Sequence, residues 1–267
     1  MERIKQALDR SRAEREQHVA GAPRTAAATA PVDEEHIQYS QTRVQKIDPA
    51  TLRNNCVIFD DTNGAGLTAY KMLRTQVLQR MTAHGWNALA ITSPLPGDGK
   101  TLTAVNLAIS LARELHHTVL LVDMDLRNPS VHRYLGLETK VGIDDCLLHG
   151  MPLNEALINP GIERLVLLPG GKPVANSSEI LASPAVGKLV QELKHRYPSR
   201  MVIFDLPPVL SADDALSFAP HVDAFLLVLR DGKTTRAEVE HTMEVLRSTK
   251  ILGTVLNASD EKISPYY

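Results

Sequence analysis

Between Ala88 and Leu256 the chain alternates short apolar runs with stretches of helical spacing, and this alternation narrows the possible folds more than any other feature. The runs are Ala88 to Thr92, Val119 to Val122, Leu165 to Leu168, Val202 to Phe204, Ala224 to Leu229 and Ile251 to Leu256. A strand covered on both faces reads as a continuous apolar run, because neither face meets water. Helical spacing fills Thr101 to Leu115, Ala185 to Arg196 and Thr235 to Arg247, and Leu67, Tyr70, Leu73, Val77 and Met81 share one helix face. The pattern predicts an α/β fold, a doubly wound and mostly parallel sheet with helices on both faces. Right-handed crossovers then bring the carboxyl ends of the strands to one edge.

Three of the runs lead into residues with chemistry. After the first comes Ser93 to Thr101, SPLPGDGKT. Its glycines let backbone N–H groups turn toward phosphate oxygens, and the following helix directs its positive end at them. Pro96, Gly97, Asp98, Gly99, Lys100, Thr101 and Leu102 form the expected nucleotide-contacting stretch. Lys100 is placed to reach the β and γ phosphates, and the Thr101 hydroxyl to ligate Mg²⁺. The second run leads into Asp123-Met124-Asp125-Leu126-Arg127, and the fourth into Asp205-Leu206-Pro207-Pro208. Taken singly, each segment also reads as a turn, a solvated strand end or a cap. Jointly they supply different parts of one magnesium–nucleotide centre, with Thr101, Asp125 and Asp205 on the metal and ATP as the ligand. Asp123 lies two residues before Asp125, on the same strand face, and is the candidate base for an incoming hydroxyl. Arg127 reads equally as a phosphate contact or a structural ion pair. Arg230 and Asn257 follow the last two strands; each reads as a nucleoside contact or as a structural residue.

The balance of the chain removes several function classes. Its 267 residues, 43% hydrophobic, suffice for one buried α/β core with appendages. A formal charge of −2 gives no electrostatic reason to expect nucleic acid or anionic lipid, and 4% aromatic content argues against a base-stacking platform. Cys56 and Cys146 are too few for a disulfide framework, which points to a reducing, cytoplasmic setting. No apolar stretch approaches the roughly 20 residues of a bilayer span, and the charge-rich start is not a secretory signal. Any membrane association is therefore expected through a partner. Residues 1–19 read as a short N-terminal helix, solvated or used for docking, and 20–66 as a linker and poorly defined segment. Residues 67–256 read as the P-loop domain and 257–267 as a tail ending in Tyr266 and Tyr267.

With these residues in view, the chain resembles the bacterial tyrosine kinases of exopolysaccharide and capsule assembly, a branch of the deviant P-loop ATPases that includes MinD and ParA-like proteins. The resemblance covers roughly residues 67–267. It rests on the family's S-x-x-P-G-x-G-K-[ST] loop from Ser93, its D-x-D-x-R-x-P element ending at Pro129, and its D-x-P-P element from Asp205. The segment Leu168-Pro169-Gly170-Gly171 through Pro184 is a fourth match. Leu95 stands where MinD and ParA proteins carry a lysine. The resemblance implies an ATP-dependent tyrosine autokinase that acts on exopolysaccharide chain length, polymerisation or export. Lys100, Asp123, Asp125 and Asp205 would be its catalytic residues and Tyr266 and Tyr267 its phosphoacceptors. It also implies a homo-oligomer and a separately encoded membrane adaptor of the chain-length-determinant type that recruits it to the inner face of the membrane. At the positions of the family's ring-forming Glu-x-x-Arg-x-x-Arg stand Thr68, Lys71 and Arg74. Two other readings use the same site: a MinD or ParA-like switch in which hydrolysis toggles dimerisation, and a non-catalytic ATP-binding regulator of polysaccharide assembly.

Overall fold

Each apolar run forms a strand, and the runs assemble as their burial demands. The computed structural model describes residues 42–59, 64–114, 117–197 and 199–259. The expected N-terminal helix, most of the linker, the turn at 60–63 and the terminal tyrosines lie outside these residues. The strands are β1 (Arg43–Val44), β2 (Ala88–Thr92), β3 (Thr118–Asp123), β4 (Ile158–Asn159), β5 (Leu165–Leu168), β6 (Arg200–Asp205), β7 (Ala224–Arg230) and β8 (Ile251–Asn257). They form one eight-stranded sheet in the order β1-β4-β5-β3-β6-β2-β7-β8. All pairs are parallel except β4 with β5, so the doubly wound, mostly parallel expectation holds.

The helices are α1 (Pro49–Asn54), α2 (Gly64–His84), α3 (Lys100–Ala112), α4 (Val131–Tyr134), α5 (Ile143–His149), α6 (Leu153–Ala156), α7 (Ser177–Leu181), α8 (Pro184–His195), α9 (Asp214–Phe218) and α10 (Arg236–Val245). They cover the sheet on both faces, and the twofold alternation of strand side chains divides the core accordingly. Leu89 and Ile91 of β2 join α3 and the Val77 and Met81 face of α2 in one cluster. Ala88 and Ala90 of the same strand face the other cluster, with Val186, Val190 and Leu193 of α8 and the ring pair Phe204 and Phe218. In α3 every residue from Thr101 to Ala112 except Leu102 is buried, which fixes the helix that carries the candidate lysine.

Local chemistry sets the helix starts. Ser183 caps α8 by accepting from Val186 N, with Pro184 just inside the helix. Thr235 and Glu238 form a reciprocal capping box on α10, at 3.3 and 2.7 Å. Residues 42–59, for which the sequence offers no periodicity, also join the core. Leu52 of α1 has no exposed surface, and Ile58 N donates to Asn106 Oδ1 of α3 at 2.8 Å. As the last strand of the sheet, β8 is half open, with Thr254 and Leu256 exposed.

Arg74, on α2, donates to Ser110 O at 3.2 Å and lies 3.8 Å from Glu114 Oε2. The side chain is thus turned inward onto α3.

Candidate active site

The three central strands end flush, and their register gathers the predicted residues. Asp123 of β3 stands opposite Asp205 of β6, which stands opposite Ile91 of β2. The loop from Ser93 to Gly99 then leads directly into α3. Gly97 and Gly99 adopt left-handed φ values of 85° and 97°, which cost a side-chain-bearing residue strain. Gly99 is the cap residue of α3 and offers no side-chain acceptor, so the leading N–H groups of the helix are left for an anion. A Cβ on Gly99 would lie 1.9 Å from Asn257 Nδ2, a second reason for glycine there.

Lys100 Nζ lies 2.7 Å from Asp125 Oδ2 and 3.9 Å from Asp205 Oδ1, and donates to Thr101 Oγ1 at 3.2 Å. Thr101 Oγ1 in turn donates to Asp205 Oδ2 at 2.7 Å. Asp123 and Asp205 have no exposed surface, and Asp125 is 4% exposed. Burial pushes the Asp123 carboxyl up to about 8, and the nearby Asp205 and Asp125 charges add to this against two backbone hydrogen bonds. Burial likewise raises Asp205, to about 6, against the pull of Lys100 and the Thr101 hydroxyl. For Lys100, burial alone would lower the ammonium, but Asp205 and Asp125 outweigh it and hold it above its ordinary value.

Asp123 is held by one oxygen and unpartnered on the other, which is buried. Its Oδ2 accepts from Ser130 N at 2.8 Å and Val131 N at 3.0 Å, at the start of α4. Its Oδ1 is buried with no hydrogen-bond partner, as is Asp205 Oδ1. Gly170, in the segment flagged as a fourth motif, packs against this carboxylate. A Cβ there would meet Pro129 at 2.7 Å and Asp123 Cγ at 3.3 Å. Asp125 Oδ1 accepts from Asn128 N at 3.1 Å, which turns the strand end into the following loop.

A cavity of ≈ 610 Å³ opens over this cluster. Pro96, Gly97, Gly99, Lys100, Thr101 and Asp125 line it, together with Arg127 and Pro207. The remaining predicted contacts have other partners. The Asp98 carboxylate accepts from Leu95 N at 3.0 Å and braces the loop from within. Leu102 packs against the core. Arg230 Nη1 donates to Gly97 O at 2.8 Å and Asn257 Nδ2 to Asp98 O at 2.9 Å, so both side chains engage loop backbone. Arg127 forms an ion pair, its Nε donating to the buried Asp214 Oδ1 at 2.7 Å, at the wall of the cavity.

Asn55, Ser130 and Arg133 also line the cavity and were not anticipated. Asn55 Nδ2 donates to the carbonyls of Arg133 and Tyr134 at 3.1 and 3.0 Å, tying α1 to α4. Both helices are too short to announce themselves by periodicity. Ser130, directly after the D-x-D-x-R-x-P element, was the one legible addition.

The residues fit a magnesium nucleotide. Uncapped helix N–H groups, a lysine and two orphaned carboxylate oxygens beside a hydroxyl are what a triphosphate and a hard cation need. Among the described residues no three acidic, imidazole or thiol groups form a ready-made metal cluster. Magnesium asks for less, since it keeps several waters and takes one or two protein ligands.

Comparison with known proteins agrees with this geometry. A family model described as ParA, NUBPL iron-transfer P-loop NTPase, matches residues 86–264. The chain is 32% identical over 208 residues to the tyrosine-protein kinase YwqD of Bacillus subtilis (strain 168), taking in 77% of this chain and 86% of that one. It is 30% identical over 202 residues to the putative tyrosine-protein kinase EpsB of Ralstonia solanacearum, 75% of this chain, but spans only 26% of EpsB. Among solved structures, the kinase domain of the Escherichia coli tyrosine kinase ETK superposes with a TM-score of 0.68 at 28% identity, covering 78% of this chain and 83% of that one.

Proposed function

The chain belongs to the bacterial tyrosine-protein kinases, within the ParA-type P-loop NTPases, and from that membership we propose its reaction: transfer of the ATP γ-phosphoryl group to its own C-terminal tyrosines. The observation that carries this reading is the convergence of Lys100, Asp125 and Asp205 beneath a glycine loop, with the buried Asp123 beside them. Phosphoryl transfer needs charge neutralisation and in-line placement more than covalent chemistry. Lys100 leaves Asp125 for the phosphate oxygens and frees that carboxylate. Thr101, Asp205 and Asp125 would hold magnesium directly or through waters, and the ion when bound neutralises phosphate charge. Asp123, whose buried Oδ1 has no hydrogen-bond partner, would orient the tyrosine hydroxyl and take its proton. A carboxyl pushed up to about 8 is matched to that task near neutral pH. Its Oδ2 bonds to α4 keep the accepting oxygen from rotating away.

The proposed acceptors are Tyr266 and Tyr267. Because β8 runs parallel to β7, the chain leaves the sheet at the edge that bears the site. Ten residues follow Asn257, the last being Tyr267, a reach of about 35 Å at ~3.5 Å per residue. The kinase would work in exopolysaccharide chain length, polymerisation or export as a homo-oligomer, recruited by a separate membrane adaptor. No helix among the described residues is long and apolar enough to cross a membrane.

The test is labelling with γ-labelled ATP and magnesium, with the adaptor present, followed by mass-spectrometric mapping. Wild type should carry phosphate on Tyr266 or Tyr267, and Lys100→Met should lower the rate by roughly 10²-fold or more. Phosphate released to water, with no phosphotyrosine on wild type, would replace this reading with the hydrolytic switch.

A further inference from the structure

Two consecutive carbonyls of the phosphate loop are gripped from outside by the last two strands. Gly97 O is held by Arg230 at the end of β7, and Asp98 O by Asn257 at the end of β8. In a trans peptide the C=O and the following N–H point in opposite directions. Fixing the Gly97 carbonyl therefore fixes the Asp98 N–H, and fixing the Asp98 carbonyl fixes the Gly99 N–H. Both N–H groups are aimed away from the ends of β7 and β8. Without such a grip these two peptide groups would flip easily, since each adjoins a glycine in the left-handed region. The Asn257 amide also fills the space beside Gly99, where a Cβ would come within 1.9 Å. Neither Arg230 nor Asn257 lines the cavity.

We propose that Arg230 and Asn257 are positioning residues that set the Asp98 and Gly99 N–H groups for the phosphates, and that they do not read the base. The inference rests on the nucleotide reading of the site given above. Its consequence is a contribution to affinity that is the same for any ligand bearing the same polyphosphate. A nucleoside-contacting role would instead show itself in the choice between bases.

Calorimetric titration of the full chain separates the two. Wild type, Asn257→Ala and Arg230→Lys would each be titrated with the magnesium complexes of ATP, GTP and inorganic tripolyphosphate, after thermal melts establish that each is folded. Both substitutions preserve the local charge, so general repulsion of anions does not enter. Each should weaken all three ligands by roughly three- to tenfold, the loss of about one hydrogen bond, and leave the ATP-to-GTP and ATP-to-tripolyphosphate ratios unchanged. Weakened ATP with tripolyphosphate retained would assign base contacts and overturn the inference. Unchanged affinity for all three ligands would overturn it as well. Failure of wild type to bind any of them would instead sink the nucleotide reading. The two variants lie on different strands, so misfolding of one leaves the other as the test.

Discussion

Asp123 and Asp205 face each other across neighbouring strands with no exposed surface, and the fold carries them at a cost to its own stability. The sign follows from linkage. A folded carboxyl raised to about 8 keeps its proton where the unfolded one, at 3.8, has released it. The folded state then binds more protons, and stability falls as pH rises from about 4 to about 8. Asp123→Asn keeps an acceptor for Ser130 N and Val131 N but cannot ionise. It should melt above wild type, with the gap widening as pH rises from about 4 to about 8 and levelling off beyond, at roughly 2–4 °C for each kcal/mol. The same variant should lose transfer. Melting curves that stay parallel across this range would show that Asp123 imposes no ionisation cost. These residues were legible in the sequence because each follows an apolar run, and the sheet needs those runs side by side. Asn55 and Arg133 were not legible, since their place at the cavity depends on the packing of α1 on α4. Arg230 and Asn257 were legible as residues of the right edge. Their direction was not, because nothing in spacing tells whether a side chain reaches for a ligand or for the loop behind it.

At the scale of elements, burial decides what a sequence announces. Strands β2, β3, β5, β6 and β7 are covered on both faces and appear as unbroken apolar runs. The two-residue strands β1 and β4 carry no such signal, and the antiparallel pairing of β4 with β5 comes from tertiary packing. The sheet is also pinned at its opposite end. Asp223 accepts from Asn87 N and Ala88 N at 3.0 and 2.9 Å, and its other oxygen takes Lys194 Nζ of α8 at 2.6 Å. Burial alone would raise this carboxyl, but the Lys194 and backbone hydrogen bonds outweigh it and hold it below its ordinary 3.8. Its contribution is therefore present above that value and lost as pH falls through the lower folded value. Asp223→Ala strands two donors at the start of the central strand and should cost about 1–3 kcal/mol in urea unfolding at neutral pH. The difference from wild type should close in strong acid. A neutral-pH loss below about 0.5 kcal/mol would mean that solvent replaces the carboxylate.

Across the whole molecule, the α/β architecture and the place of the site follow from one arrangement: a sheet buried between two cores, with functional residues at one edge. The proposed acceptors, Tyr266 and Tyr267, follow the point at which the chain leaves the sheet. That exit is narrowly defined. Asn257 is the last residue of β8, and Ala258 immediately turns into the left-handed region at φ 57°. The end of the folded sheet and the start of the tail thus fall on adjacent residues, which gives deletion mapping a sharp boundary. A protein stopped at Ser259 should keep wild-type nucleotide affinity while losing both proposed acceptors, Tyr266 and Tyr267. One stopped at Leu256, only three residues shorter, should bind roughly tenfold more weakly.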